Sequence, residues 1–163
     1  LSGMRVELKD DVLADNARLI GEQSLSESLQ GIFIGTNKYL FFVPVNTTED
    51  IRKTRKGKPV EPTFFFKGKP VSEVIHDFVN RRGVSVAELE DFLRKKIKKE
   101  IPKSQCCIIN DIEQFKVYST WWGSGVLINS GKGKAGWKPF VSRFKSAKKN
   151  VKGFYQGHTK LVR

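Results

Sequence analysis

The carboxyl-terminal third of this sequence carries cationic side chains without anionic ones. From Phe115 to Arg163 there are eleven Lys and Arg and no Asp or Glu, whereas residues 1–50 hold eight acidic and four basic residues. The 163-residue chain has a formal net charge of +13. Self-repulsion disfavours such a concentration of charge unless an anionic partner is met there. The chemistry expected of these residues is therefore binding of a polyanion, which would be nucleic acid, an acidic protein or an anionic membrane surface.

The densest group of these cations coincides with a predicted helix that begins at Pro139 and ends at Gly153. At 100° per residue, Lys145, Lys149 and Lys152 fall within about 60° of one another and of Lys138, which directly precedes the helix, and Lys148 lies beside them. These positions are away from an apolar stripe that runs from Phe140 to Val151. No acid is interleaved, although an ordinary solvated helix face mixes charges of both signs. Simple solvation of an exposed face is the alternative. The predicted anion-binding residues here are Lys138, Lys145, Lys148, Lys149 and Lys152.

Two further segments, Arg52–Lys58 and Lys132–Lys138, combine glycine with Lys or Arg. Free backbone amides beside cationic side chains are suited to phosphate binding, and solvated surface loops are the alternative. The second segment superficially matches a nucleotide-binding P-loop. However, Trp137 and Lys138 stand where Lys and Ser or Thr are required, so nucleotide hydrolysis is not expected. The candidate anion-binding residues are Arg52, Lys53, Arg55, Lys56, Lys132 and Lys134.

Three tryptophans, Trp121, Trp122 and Trp137, lie close in sequence to these basic segments. Single-stranded nucleic acid is bound by this combination, because bases stack on aromatic rings while Lys contacts phosphates. Trp and Lys together also suit a membrane interface, and core packing is the commoner role of large aromatics. We include all three in the predicted nucleic-acid site.

Catalysis and metal binding have little support in the sequence. His76 and His158 lack a nucleophile or second acid at a spacing that forms a triad. Cys106 and Cys107 are adjacent, whereas zinc sites use ligands in spaced pairs. We therefore expect no enzyme activity, cofactor, metal ion or small-molecule substrate. Adjacent cysteines also make a strained disulfide at best, so reduced thiols in a cytoplasmic protein are expected.

The elements that would position these residues are predicted to be mostly strands. Ile32–Ile34 and Tyr39–Val45 flank a turn at residues 35–38 and form the clearest hairpin. Val12–Ile20 is ambiguous between strand and helix. Thr63–Lys67 is a short aromatic strand, and Cys106–Ser119 and Gly123–Asn129 are two more strands, with residues 131–136 as a flexible basic loop.

Two helices are predicted between these strands. The first begins at Pro70, with apolar residues at helical spacing, and ends near Gly83. Ser85 followed by Glu88 forms a capping box that opens the second, which Pro102 closes. Its acids come first and its bases last, as the helix dipole favours. The pair resembles the opening two helices of a helix-turn-helix domain. Because a β-rich segment stands where the third, base-reading helix belongs, an ordinary helical hairpin is expected.

Together these patterns predict one α+β domain over residues 4–163, with the helical hairpin at about 70–101. Residues 1–3, ahead of Met4, are expected to be a cloning remnant. The strands would form a bent antiparallel sheet or small barrel, followed by the amphipathic carboxyl-terminal helix. This order resembles the pleckstrin-homology architecture. The expected function is non-enzymatic polyanion binding, with nucleic acid (DNA or RNA) as the first partner. The alternatives are a protein-interaction subunit of a larger assembly and binding to an anionic membrane surface.

Overall fold

The structure, a computed structural model, describes residues 8, 12–20, 29–47, 57–58, 62–120, 123–130 and 133–138. Within these residues the fold is mixed α+β, with an open antiparallel sheet of seven strands, a two-stranded ribbon and two helices. The predicted α+β class, the antiparallel sheet and the helical pair are thereby confirmed. The predicted carboxyl-terminal helix lies outside the described residues.

Nine strands are present in this part of the chain. The large sheet has the strand order β6-β3-β2-β1-β9-β8-β7, and the ribbon pairs β4 with β5. The strands are β1 Val12–Ile20, β2 Leu29–Gly35, β3 Tyr39–Thr47, β4 Phe65–Phe66, β5 Lys69–Pro70, β6 Gln105–Ile108, β7 Ile112–Thr120, β8 Gly123–Ser130 and β9 Gly133–Lys138.

The predicted hairpin is present as β2 and β3. Thr36 closes its turn, because its backbone amide donates to the Tyr39 carbonyl at 2.9 Å and its hydroxyl accepts from the Tyr39 amide at 3.2 Å. Successive side chains of a strand point to opposite sides. Consecutive residues of this hairpin are buried, so both of its faces are covered. One face packs on the helices through Ile32, Ile34, Phe41 and Val43, and the other carries Phe33, Leu40 and Phe42.

The prediction of one strand over Cys106–Ser119 is wrong. A 3₁₀ turn, Ile109–Asp111, divides the segment into β6 and β7. β6 pairs with β3, whereas β7 pairs with β8 at the opposite edge of the sheet. The ambiguous Val12–Ile20 is strand β1, paired on both sides.

The predicted flexible loop at residues 131–136 also requires correction. Gly133–Lys138 forms β9 in the interior of the sheet, paired with β8 on one side and β1 on the other. Glycine weakens an isolated strand. Here two neighbouring strands supply backbone partners, so tertiary pairing overrides local propensity.

Helix α1 is Val71–Val79. Helix α2 begins as Val86–Asp91, continues as a π-helical segment, Phe92–Ile97, and ends as Lys98–Glu100. The predicted cap is confirmed, because the Ser85 hydroxyl accepts a hydrogen bond from the Glu88 amide at 3.2 Å. α2 buries Leu89, Leu93 and Ile97 against the sheet-facing core. Neither helix is long and apolar enough to cross a membrane.

Candidate functional site

The structure gives positions for three of the fourteen residues predicted to bind an anion, all of them on β9. These are Lys134, Trp137 and Lys138. The other eleven lie outside the described residues: Arg52, Lys53, Arg55, Lys56, Trp121, Trp122, Lys132, Lys145, Lys148, Lys149 and Lys152.

The backbone register of β9 shows where these three residues lie. Lys138 is the Cα partner of Arg18, and Trp137 is paired with Leu19 on β1 and Val126 on β8. Lys138 therefore belongs to a strand, and its assignment to a common helix face with Lys145 is wrong. Its position opposite Arg18 brings two cationic residues to one register position of neighbouring strands.

A second group of cations lies on the second half of α2, where basic residues also compensate the helix dipole. Burial of Leu93 and Ile97 on the core side leaves the intervening residues in solvent. Five of the six residues from 94 to 99 are basic. We call this group the α2 basic face, and it consists of the exposed residues Arg94, Lys95, Lys96, Lys98 and Lys99.

The members of the α2 basic face differ in what they contact. The Arg94 guanidinium lies over the Tyr39 ring, 4.7 Å from its centroid. The Lys98 ammonium donates to the carbonyl oxygens of Pro102 and Ser104, both at 2.6 Å, and so fixes the chain that leaves the helix.

The remaining three lysines are the ones that an anion could reach. Lys95 lies 3.9 Å from Asp91 in an exposed pair, which holds it weakly. Lys96 and Lys99 make no ion pair with the described residues, so their charges face solvent. These two lysines are the part of the α2 basic face best suited to bind an anion.

A row of three aromatic rings adjoins α2 and bears a cation at each end. Phe78 stacks on Phe92 with ring centroids 4.5 Å apart, and Phe92 meets Phe66 edge-to-face at 5.5 Å. The Arg81 guanidinium lies 5.7 Å from the Phe78 centroid. The Lys67 ammonium lies 5.6 Å from the Phe66 centroid. We call these five residues the aromatic row. Phe78 and Phe92 are half-buried and both cations are exposed.

Next to the aromatic row, the β4–β5 ribbon carries an exposed aromatic ring. Phe65 is 48% exposed, whereas its neighbour Phe66 is 8% exposed and packs inward. The ribbon turns at Lys67 and Gly68, whose φ angles are 49° and 81°. Lys67, Gly68 and Lys69 are all exposed. The ribbon therefore presents an exposed aromatic ring beside a short turn that carries two exposed cations, Lys67 and Lys69.

An acidic group lies beside the α2 basic face. Burial raises the pKa of the Glu90 carboxyl, although a hydrogen bond from the Thr36 side chain and the nearby charges of Lys38 and Arg94 act in the opposite direction. Because burial outweighs these favourable contacts, the environment of Glu90 disfavours its negative charge. The Glu90 site therefore holds its proton more tightly than an exposed carboxyl does.

The two cysteines are free thiols on β6. Burial, followed by the neighbouring Cys107, raises the pKa of Cys106 to about 11, and burial also raises the pKa of Cys107. Thiols of this kind are protonated at neutral pH and are poor nucleophiles.

One histidine, His76, lies within the described ranges. His76 on α1 contacts Asp15 on β1 at 3.4 Å in a largely exposed pair. In this part of the chain no three His, Cys, Asp or Glu residues are grouped so that they could hold a metal ion.

Comparison of the chain with protein-family models, with curated proteins and with solved structures finds no match.

Proposed function

We propose that this protein is a non-enzymatic polyanion-binding module whose partner is nucleic acid. The observation that carries the proposal is the α2 basic face, where Lys96 and Lys99 are exposed and have no anionic partner among the described residues. Lys and Arg in such a position bind phosphates and release the counterions condensed on nucleic acid. The net charge of +13 supplies the long-range attraction.

The aromatic row favours nucleic acid over other polyanions. Nucleic acid offers both phosphates and flat bases, and cations beside aromatic rings bind both. Lys67 and Arg81 lie at the two ends of the row, and Phe65 is exposed next to it.

The carboxyl-terminal cations extend the proposed interface. Lys132, Lys134 and Lys138 belong to or precede β9, and Lys145, Lys148, Lys149 and Lys152 follow it in an acid-free sequence. The segment from Arg52 to Lys56, together with Trp121, Trp122 and Trp137, completes the proposed set. Its members contact phosphates or stack on bases.

We also propose that the sheet bends into a barrel-like, pleckstrin-homology-like architecture. The support is topological. The edge strands β6 and β7 are joined by only the three residues Ile109–Asp111. Because Ile108 and Ile112 are four residues apart, they lie at most about 14 Å from each other. The two edges must therefore approach at that corner, and the predicted last helix follows β9. This is a proposal about architecture and implies no particular ligand.

A protein partner is the second candidate, supported by a different observation. Edge strand β6 carries Ile108, which is 42% exposed. An edge strand with an exposed apolar side chain can receive a strand from another chain. In this alternative the protein is a subunit of a larger assembly. Binding to an anionic membrane surface is a further alternative. The free thiols of Cys106 and Cys107 support a cytoplasmic location for either role.

A binding titration tests the proposal. The intact protein is titrated by fluorescence anisotropy with labelled DNA and RNA, and by co-sedimentation with anionic vesicles, each at two salt concentrations. We expect nucleic-acid binding that weakens steeply as salt rises, with a log–log slope of roughly −4 to −5 for duplex DNA if about five phosphates are contacted. Vesicle binding alone, or no salt-dependent binding of DNA or RNA, would reject nucleic acid as the partner.

A further inference from the structure

We infer that the β4–β5 ribbon, which the aromatic row anchors through Phe66, forms a stacking site for the bases of single-stranded nucleic acid. This inference rests on the proposed function and specifies the form of nucleic acid that is bound. It assigns Phe65 as the ring on which a base stacks, and Lys67 and Lys69, which are exposed on the same ribbon, as cations that contact the flanking phosphates. The α2 basic face then contacts phosphates further along the strand.

Phe65 is presented on a rigid support. Lys67 and Gly68 both have positive φ, which is the geometry of a two-residue type I′ hairpin turn. Phe66 anchors the ribbon edge-to-face on Phe92, and the Val71 amide donates to the Phe64 carbonyl at 3.1 Å. Because the ribbon is already ordered, it loses less conformational entropy when a base stacks on Phe65 than a mobile loop would.

The charges around Phe65 select an anionic occupant. Lys67 and Lys69 are exposed on the same ribbon, and no acidic residue occurs between Pro62 and Ser72. A neutral apolar ligand would gain nothing from these ammonium groups, whereas a nucleotide offers a ring and a phosphate together.

The exposed ring distinguishes single strands from duplexes. In a duplex the faces of the bases are stacked on one another, so a ring on the protein surface cannot reach them. A single strand exposes the faces of its bases to an aromatic side chain. A duplex would meet only the cations of this surface, and its binding should not depend on Phe65.

The test compares Phe65→Ala and Phe65→Trp in the intact protein. Anisotropy is measured with a labelled oligo-dT strand and with a mixed-sequence duplex of the same length. We expect Phe65→Ala to weaken single-strand binding about tenfold and to leave duplex binding unchanged, because one stacking contact is lost. Phe65→Trp should restore the affinity. Ile108→Ala, which removes an exposed apolar side chain from β6, is the matched control and should bind as the parent does.

A charge variant provides an independent readout. Lys67→Gln combined with Lys69→Gln should flatten the single-strand salt slope by about 1.4, since each lost phosphate contact contributes about 0.7. Phe65→Ala should leave that slope unchanged, because it removes no charge. Thermal melts of every variant establish that the domain is folded before binding is compared.

The outcomes separate this inference from the proposed function. If the parent binds DNA and Lys96→Gln/Lys99→Gln weakens binding while Phe65→Ala does not, the inference is wrong and the proposed function stands. Equal losses for single strand and duplex with Phe65→Ala would also overturn it. If the parent binds neither form, both fail. Loss of anionic-vesicle binding with Phe65→Ala, without loss of DNA binding, would instead identify the ribbon as a membrane contact.

Discussion

Phe78 of α1 and Phe92 of α2 stack face to face, with ring centroids 4.5 Å apart and ring planes 7° apart. Phe92 is the first residue of the π-helical segment of α2. A π-helical turn is uncommon and is often found at functional sites. The stack fixes the two helices relative to each other and holds Arg81 near one end of the row and Phe66 near the other.

A double-mutant cycle measures this contact. Phe78→Leu and Phe92→Leu, alone and together, are compared by urea unfolding. We expect a coupling free energy of about 0.5–1.5 kcal/mol, as for aromatic pairs generally. Additive losses would mean that the two rings contribute only independent burial.

The cap of α2 gives a second prediction. Ser85→Ala removes the acceptor for the Glu88 amide and should lower the free energy of unfolding by about 1 kcal/mol. Ser72→Ala in α1 is the matched control, because Ser72 caps no helix in the structure. Its effect should stay within about 0.5 kcal/mol. Equal effects of the two changes would show that the Ser85 hydroxyl does not stabilise α2.

The raised pKa of Glu90 predicts that the stability of the protein depends on pH. Since the folded state raises the pKa of Glu90 above 4.5, it holds the proton more tightly than the unfolded chain does. The stability contributed by the protonated carboxyl is present at low pH and is lost as the pH rises through the raised pKa. Glu90→Gln stays neutral, so its urea midpoint should exceed that of the parent at pH 7 and approach it below pH 4.

The exposed Glu113→Gln is the control for losing one negative charge. A Glu90→Gln variant less stable than the parent at pH 7 would mean that the contacts with Lys38 and Arg94 outweigh burial.

The raised pKa of the Cys106 thiol predicts that this residue is alkylated slowly. In the parent protein, where tandem mass spectrometry reports the alkylation of each thiol separately, the pKa of Cys106 near 11 leaves about one hundredth of the thiolate of an ordinary cysteine at pH 7. The greater intrinsic nucleophilicity of a more basic thiolate recovers part of this loss. Reaction with iodoacetamide should therefore be about tenfold slower than with free cysteine, and its rate should still rise between pH 9 and pH 10. A plateau by pH 9 would contradict the raised pKa.

The parts of the fold that were predicted correctly are those encoded locally. Ser85 and Glu88 specify a helix start within four residues, and the turn at residues 35–38 specifies the β2–β3 hairpin. β9 was missed because its partners, β1 and β8, include a strand more than one hundred residues away in sequence. The division of residues 105–120 between two sheet edges is equally non-local.

The candidate site shows the same limit. The basic residues at positions 94–99 are visible in the sequence, but compensation of the helix dipole is a sufficient explanation for their position. The burial of Leu93 and Ile97 in the structure shows that these basic residues face solvent. The aromatic row joins Phe66, Phe78 and Phe92 from three elements. No spacing in the sequence indicates that contact.

The salt dependence of duplex DNA binding tests most directly the central claim, that the α2 basic face binds nucleic acid. Lys96→Gln combined with Lys99→Gln should flatten the slope of log affinity against log salt by about 1.8, since each phosphate contact contributes about 0.9. Lys116→Glu, on edge strand β7, changes the net charge by the same two units and should leave the slope unchanged. A parent slope retained by the α2 variant, or an equal change in the Lys116→Glu control, would contradict the claim.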